Sequence, residues 1–505
     1  MSKFSMRLAA VIAASTVSVA GAGFAAPALA QTTSEAGAEA TPGAAADADL
    51  VDANHEIELV INKRLGDPGS LDNTTALGGI TFKVEKVNNV DLTTQEGWVA
   101  AANLTAATAT DVTEVGTIET NDQGTASMTT ANTPAFKVGL YKITEVQSGN
   151  YTAAAPFLVA LPHSEDGKWS YTQTVSPKNQ QVNPSKQVDD TNATIGSDLH
   201  YTINAPVPAG ELNRFNIVDP LNQNLSLKAD GITVEAQGAA APTLTKGTDY
   251  TVNTDNNTLR IEFTQDGRTK LQEARKSDPT LKVVAGFNAT IKSIPADTGQ
   301  ITNKATIELP NNATVDTNGD DPSTPDVTED NPTSTTFGNL TITKTSTNGT
   351  DPLAGAEFEL YQCKVSDQDS TKYELLGEAL TVATAQDGSP STKLTTSGGD
   401  NKSSKAQGYG VPIKSFAANT GTTNNDYCVL ETKAPEGYVR NPEPQHVTID
   451  VNARTLAVSV ENQKNNIINQ LPATGAWGIL LVFLVGLLLL ARGLYTSYKD
   501  NRAQA

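Results

Sequence analysis

Little of this 505-residue sequence is equipped for chemistry, and most of what is lies in strand-like stretches. Cys363 and Cys428 each fall in such a stretch. An even pair of cysteines in an exported chain implies a disulfide. Asp316-Thr-Asn-Gly-Asp-Asp321 holds carboxylates that can bind calcium. The twelve-residue loop spacing is incomplete, however, and a solvated acidic loop fits the segment better. The four histidines are scattered. No metal-ligand cluster, glycine-rich phosphate loop or hydrolase triad stands out, so no cofactor is required and no enzyme is expected.

Export is read from the first residues. Met1-Ser-Lys-Phe-Ser-Met-Arg7 is basic, Leu8 to Ala20 is apolar, and Ala28-Leu29-Ala30 precedes Gln31. A basic start, a short apolar middle and a small-residue exit make a secretory signal peptide over residues 1–30. At the other end, Leu471-Pro472-Ala473-Thr474-Gly475 precedes an apolar stretch, Ala476 to Ala491, and a tail with Arg492, Lys499 and Arg502. Such a stretch can hold a chain in a membrane, with its cationic end on the cytoplasmic side. The set resembles the LPXTG cell-wall sorting signal of Gram-positive surface proteins, residues 467–505 here. The resemblance implies that a sortase cuts after Thr474 and passes its acyl group to an amine.

Short strands and turns must position everything between these ends. Aromatic residues are only 5% of the chain, whereas Thr, Asn, Asp and Gly abound. The length predicts about three domains. A net charge of -20, from 36 Lys and Arg against 56 Asp and Glu, argues against a nucleic-acid partner. Gln31 to Asp52 lacks periodicity. Ile57 to Lys63, Ile80 to Val87, Gly139 to Val146 and Pro156 to Leu161 then read as strands. Asn, Gln and Pro around Lys178 to Lys186 mark a boundary. A second block of short strands, 184–336, has the pattern of a β-sandwich, and Asn312 to Pro332 reads as a linker. The third block, 337–466, repeats the layout of the first, 31–183. In each, a strand ending in Lys precedes Gly-x-x-Phe, and a later strand ends in Glu. No comparable helical stretch is expected.

Tyr427-Cys-Val-Leu-Glu431-Thr-Lys-Ala-Pro-Glu-Gly-Tyr438 resembles the E-box of Gram-positive pilins and Cna B-type domains. The resemblance implies an intramolecular isopeptide bond from Lys344 to Asn462, with Glu431 as the acid. A lysine buried among strands loses its proton more readily and becomes a nucleophile. A buried carboxyl that stays protonated polarises the amide and relays protons as ammonia leaves, and folding supplies the proximity. The middle block resembles Cna A-type domains, implying Lys186 to Asn303 with Asp219. The matching set in the first block is Lys63, Asn179 and Glu145, though relatives of that module exist both with and without the bond.

Trp169-Ser-Tyr-Thr-Gln-Thr-Val175-Ser-Pro177-Lys178 resembles the pilin motif Trp-x-x-x-Val-x-Val-Tyr-Pro-Lys. Gln173 and Ser176 depart from it. The motif implies an exposed Lys178 amine that attacks the Thr474 acyl group of another subunit. The whole chain thus resembles a sortase-assembled major pilin. Its expected fold is all-β, with tandem immunoglobulin-like, Cna-type sandwiches between a signal peptide and a sorting segment. The implied partners are sortase, identical subunits, minor pilins, peptidoglycan and an unidentified host receptor, at fimbriae on the Gram-positive cell wall. A minor pilin or a monomeric wall-anchored adhesin for host matrix or glycan is the alternative.

Overall fold

The computed structural model describes residues 51–503 except 71–74, 166–167, 296–298, 318–333, 348–352, 386–389, 401–402, 416–422, 425 and 466–473. Residues 399–400, 414–415, 423–424, 474–480 and 497–503 are described by secondary structure alone. The expected signal peptide and Leu471, Pro472 and Ala473 lie outside the described residues.

Alternation of period two builds the first module. Leu59 and Ile61 of the strand Glu58–Asn62, and Ile57 just before it, are almost fully buried. That strand runs antiparallel to Thr125–Thr129 on one side and parallel to Thr172–Val175 on the other. The facing sheet runs Val112–Glu119, Thr81–Val87, Gly139–Glu145 and Phe157–Leu161. Phe82, Phe136 and Tyr141 fill the space between the sheets, each contributing about 1.5–3 kcal/mol through burial. The third module repeats this plan. Ser334–Ser346 is antiparallel to Ser403–Ser415 and parallel to Thr455–Lys464. Its facing sheet runs Tyr373–Leu376, Glu357–Val365, Tyr427–Lys433 and Gln445–His446.

The middle module is a sandwich of two five-stranded sheets. One contains Ser185–Asp189, Asp198–Pro206, Lys282–Ile291, Leu225–Leu227 and Thr233–Gln237. The other runs Tyr250–Asn253, Thr258–Phe263, Asn216–Pro220, Thr306–Glu308 and Thr314–Asp316. Their inner faces form the largest core, to which Phe337 also belongs. The expected boundary at 336/337 therefore falls inside a continuous strand. Ser334–Thr336 pairs with Gln300–Thr302 of the middle module, and the rest of the strand enters the third.

Three expectations need correction. Among the described residues of the three modules, two α-helices are present, Gln95–Ala102 and Gln265–Ser277, each capped by a threonine, Thr94 or Thr264. Only Gly267, Leu271 and Arg275 of the second are buried, so its apolar stripe is too thin to read in sequence. The start of the expected linker is structural, because Thr314–Asp316 pairs with Thr306–Glu308 and buries Ala313, Val315 and Thr317. Asp316 of the acidic loop accepts a hydrogen bond from the Thr306 hydroxyl at 2.6 Å, and 318–321 lie outside the described residues. Asn303, which Ile301 to Ile307 would place on the last strand of the middle block, lies instead in the break between Gln300–Thr302 and Thr306–Glu308.

At the C-terminal end, Thr474–Ala503 is helical and Thr474 and Gly475 open it. Leu481, Val482, Phe483 and Leu488 are exposed. Among the described residues, no helix is long and apolar enough to cross a membrane.

Candidate cross-linking sites

In the third module, parallel pairing of the first and last strands brings a lysine and an amide together. Lys344 is in register with Val460, two residues before Asn462. Lys344 Nζ donates to Asn462 Oδ1 at 2.6 Å and to the Val460 carbonyl at 2.8 Å. Glu431 enters from the facing sheet, where it pairs in register with Phe358. Its Oε1 accepts from Asn462 Nδ2 at 2.9 Å and lies 3.7 Å from Lys344 Nζ, while its Oε2 accepts from the Asn441 backbone at 2.7 Å. All three side chains are buried. Burial pulls the Lys344 amine down to about 8, against the attraction of Glu431. The amine faces the amide oxygen, and the acid holds the nitrogen that would depart as ammonia.

The first module builds the same arrangement. Lys63 follows the strand Glu58–Asn62, and Asn179 lies on the short strand Lys178–Asn179, which is parallel to Arg64–Leu65. Glu145 pairs in register with Phe82, as Glu431 does with Phe358. Lys63 Nζ lies 2.6 Å from both Glu145 Oε2 and Asn179 Oδ1, and Asn179 Nδ2 donates to Glu145 Oε1 at 2.5 Å. Burial lowers the Lys63 pKa, opposed by Glu145. The phenylalanine opposite the acid was not singled out from sequence, although the shared Gly-x-x-Phe, Gly79 to Phe82 and Gly355 to Phe358, marks it.

The middle site spans the two sheets. Lys186 lies on the strand Ser185–Asp189 and Asp219 on Asn216–Pro220 of the opposite sheet, and the two form a fully buried ion pair. Lys186 Nζ stands 4.5 Å from the centre of the Tyr201 ring and 5.3 Å from that of Phe287. These walls went unread, since alternating apolar residues in a strand signal only a core. Burial pulls Lys186 down to about 8, against Asp219. It pushes Asp219 up, with Lys186 and then Asn303 opposing the rise. Asn303 Oδ1 accepts from the Asn222 backbone at 3.3 Å. Asp219 Oδ1 and Asn303 Nδ2 are buried and complete no hydrogen bond of normal geometry.

Lys178 differs from these lysines and also from the exposed amine expected of it. It is half-buried, and its ammonium donates to the Ser70 carbonyl. The motif around it is anchored in the first module. Val175 is buried in the core, and Trp169 stacks on Trp98 of the helix Gln95–Ala102 with centroids 5.1 Å apart. Cys363 and Cys428, on adjacent antiparallel strands, form a disulfide with a Cα separation of 5.7 Å.

A row of β-sandwiches with buried lysine, acid and amide groups has the build of a Gram-positive pilin. Residues 59–180 match the family model for the N-terminal domain D1 of Gram-positive pilin subunits, and 338–464 match the SpaA prealbumin-like fold domain. The chain is 32% identical to Fimbrial subunit type 1 of Actinomyces viscosus, over 84% of each protein. It is 28% identical to Fimbrial subunit type 2 of Actinomyces naeslundii, covering 88% of this chain and 90% of that one. The solved full-length major pilin SpaD from Corynebacterium diphtheriae superposes with a TM-score of 0.58 at 26% identity, covering 83% of this chain and 100% of that one. The chain belongs to the Gram-positive pilins and is a structural subunit of a cell-surface fimbria.

Proposed function

We propose that the chain is the shaft subunit of a fimbria polymerised by sortase. The Lys178 amine attacks the Thr474 carbonyl of another subunit, held as a thioester on the sortase cysteine. A C–N bond forms, the C–S bond breaks, the thiol leaves and the amine gives up a proton. Each subunit both donates and accepts, so the contact does not close and the product is a fibre. A terminal subunit is passed to peptidoglycan, and minor pilins complete the fimbria. The observation that carries this reading is that Lys178 adjoins Asn179, the amide of the first buried site. A bond at Lys178 would pass tension straight to a strand that this site can anchor.

The three buried sites form internal isopeptide bonds on the same reading. Nζ of Lys63, Lys186 or Lys344 attacks Cγ of Asn179, Asn303 or Asn462, and Nδ2 leaves as ammonia with protons relayed by Glu145, Asp219 or Glu431. The Lys63 amine lies 2.6 Å from the Asn179 amide oxygen, the same distance as Lys344 from Asn462, which supports a bond in the first module as well. Intact mass of the exported domains should fall short of the sequence mass by three ammonias. Lys178→Ala should abolish the high-mass ladder on denaturing gels. A surviving ladder would sink the shaft reading, and a wild type without a ladder would favour a monomeric wall-anchored adhesin.

A further inference from the structure

The middle module grips the surroundings of Lys178 from two sides. Gly66 to Ser70 crosses the lysine, since the Gly66 amide donates to the Asn179 carbonyl at 2.9 Å. A Cβ added at Gly66 would lie 3.8 Å from Lys178 Cδ, and the ammonium donates to the Ser70 carbonyl at the far end of the segment. Asp67, between them, accepts from Arg275 Nη2 of the middle module at 3.2 Å. Arg275 is itself fixed by an Nε hydrogen bond to the Val207 carbonyl at 2.9 Å. Three residues further on, Gly210 packs against Pro68, where a Cβ would meet Pro68 Cγ at 3.2 Å. The same stretch holds the chain that follows the lysine. The Ala209 amide donates to Gln180 Oε1 at 2.6 Å, and Gln180 Nε2 donates back to the Ala209 carbonyl at 2.9 Å.

We infer that Arg275 and Asp67 are positioning residues that set the exposure of Lys178 from across the module boundary. Attack on an acyl group needs a free lone pair on the amine. In this arrangement the ammonium is instead engaged by the Ser70 carbonyl beneath a segment clamped to the middle module. Release of the Asp67 and Arg275 pair lets residues 66–70 lift, and the amine becomes accessible. A first module not yet docked on a folded middle module therefore presents a more reactive lysine than the finished subunit does. The relevance of this control to assembly rests on the shaft-subunit reading, but the control itself is a property of the isolated protein.

The experiment is site-resolved acylation of the full exported chain by an N-hydroxysuccinimide acetate, followed by peptide mass spectrometry. Lys433, with 64% of its side chain exposed in the third module, is the internal reference. Asp67→Asn and Arg275→Ala should each raise the Lys178 rate about two- to five-fold relative to Lys433, as expected for loss of a partly exposed ion pair. The double variant should be no faster than the faster single one, and Arg275→Lys should return towards wild type. Asp67 is 44% exposed, so Asp67→Asn tests the clamp without opening a core. An unchanged or slower Lys178 in Asp67→Asn, or an equal rise at Lys433, overturns the inference. Chemical acylation needs no sortase, so failure of the shaft reading would show separately, as a wild type without a ladder.

Discussion

Glu431→Gln tests the internal cross-link while nearly preserving shape. The glutamine keeps an oxygen for the Asn441 backbone amide, now 2.7 Å from Glu431 Oε2, but cannot relay protons as ammonia leaves. Lys344 and Asn462 should then remain unjoined, and the shortfall from the variant's sequence mass should shrink by one ammonia. The two residues are 118 apart in sequence. By analogy with a disulfide closing a loop of that length, the lost constraint on the unfolded chain is worth about 5 kcal/mol. For a domain of this size the melting temperature should fall by roughly 15–25 °C. Calorimetry should show the third-module transition moving down by that amount while the other transitions stay in place. An unchanged shortfall would refute the role of Glu431 as the acid. A reduced shortfall with a shift below about 5 °C would refute the claim that the cross-link dominates the stability of this module.

Asn303→Ala removes the proposed electrophile of the middle site and leaves the Lys186 amine unbridged and able to titrate. Burial holds its folded-state pKa near 8, against 10.5 for an ordinary lysine, so between these values the unfolded chain binds the extra proton. Stability of the variant should be flat with pH below this window and rise through it by up to about 1.4 kcal/mol per pH unit. Urea midpoints measured against wild type, which has no free Lys186 amine if bridged, check the sign. Cys363→Ser opens a loop between residues separated by 65 in sequence and should cost about 4 kcal/mol, read from the urea midpoint of the third module. Trp98→Ala deletes a buried side chain and its stack on Trp169, and should cost the first module about 3–5 kcal/mol by the same measurement.

Strand alternation made much of the fold legible, because a half-buried strand writes its burial into every second residue. Ile57, Leu59 and Ile61 show this directly. The helix Gln265–Ser277 left no such trace, since its contact face is narrow and one of its buried members is Arg275. The isopeptide candidates were legible only through family motifs. Sequence separations above 100 residues carry no local signal that Lys344 and Asn462 meet. The half-burial of Lys178 was not legible at all, because it arises from Gly66 to Ser70 and, behind them, from a helix some 200 positions away.

The repeated module explains why the first and third sites look alike and the middle one does not. In both outer modules the lysine ends or follows a first strand that is parallel to a neighbour near the C-terminal end of the module, and the acid reaches in from the facing sheet opposite a phenylalanine. A bond there joins two strands that run in the same direction, so tension pulling the module's ends apart would shear their hydrogen bonds together, and one covalent bridge protects the set. In the middle module Lys186 lies on an antiparallel pair and its acid on the other sheet. Its bridge would tie sheet to sheet, and the buried ion pair lies beside the Tyr201 and Phe287 rings. Removing one member should therefore have different consequences. In the outer modules the lysine keeps a nearby polar partner, such as the Val460 carbonyl beside Lys344. In the middle module, Asp219→Ala removes the carboxylate that forms a fully buried ion pair with Lys186. That change should cost the middle module more than Glu431→Gln costs the third, on the order of 3–5 kcal/mol beyond the lost cross-link. Parallel urea titrations of the two variants decide it, and equal losses would refute the distinction between the two kinds of site.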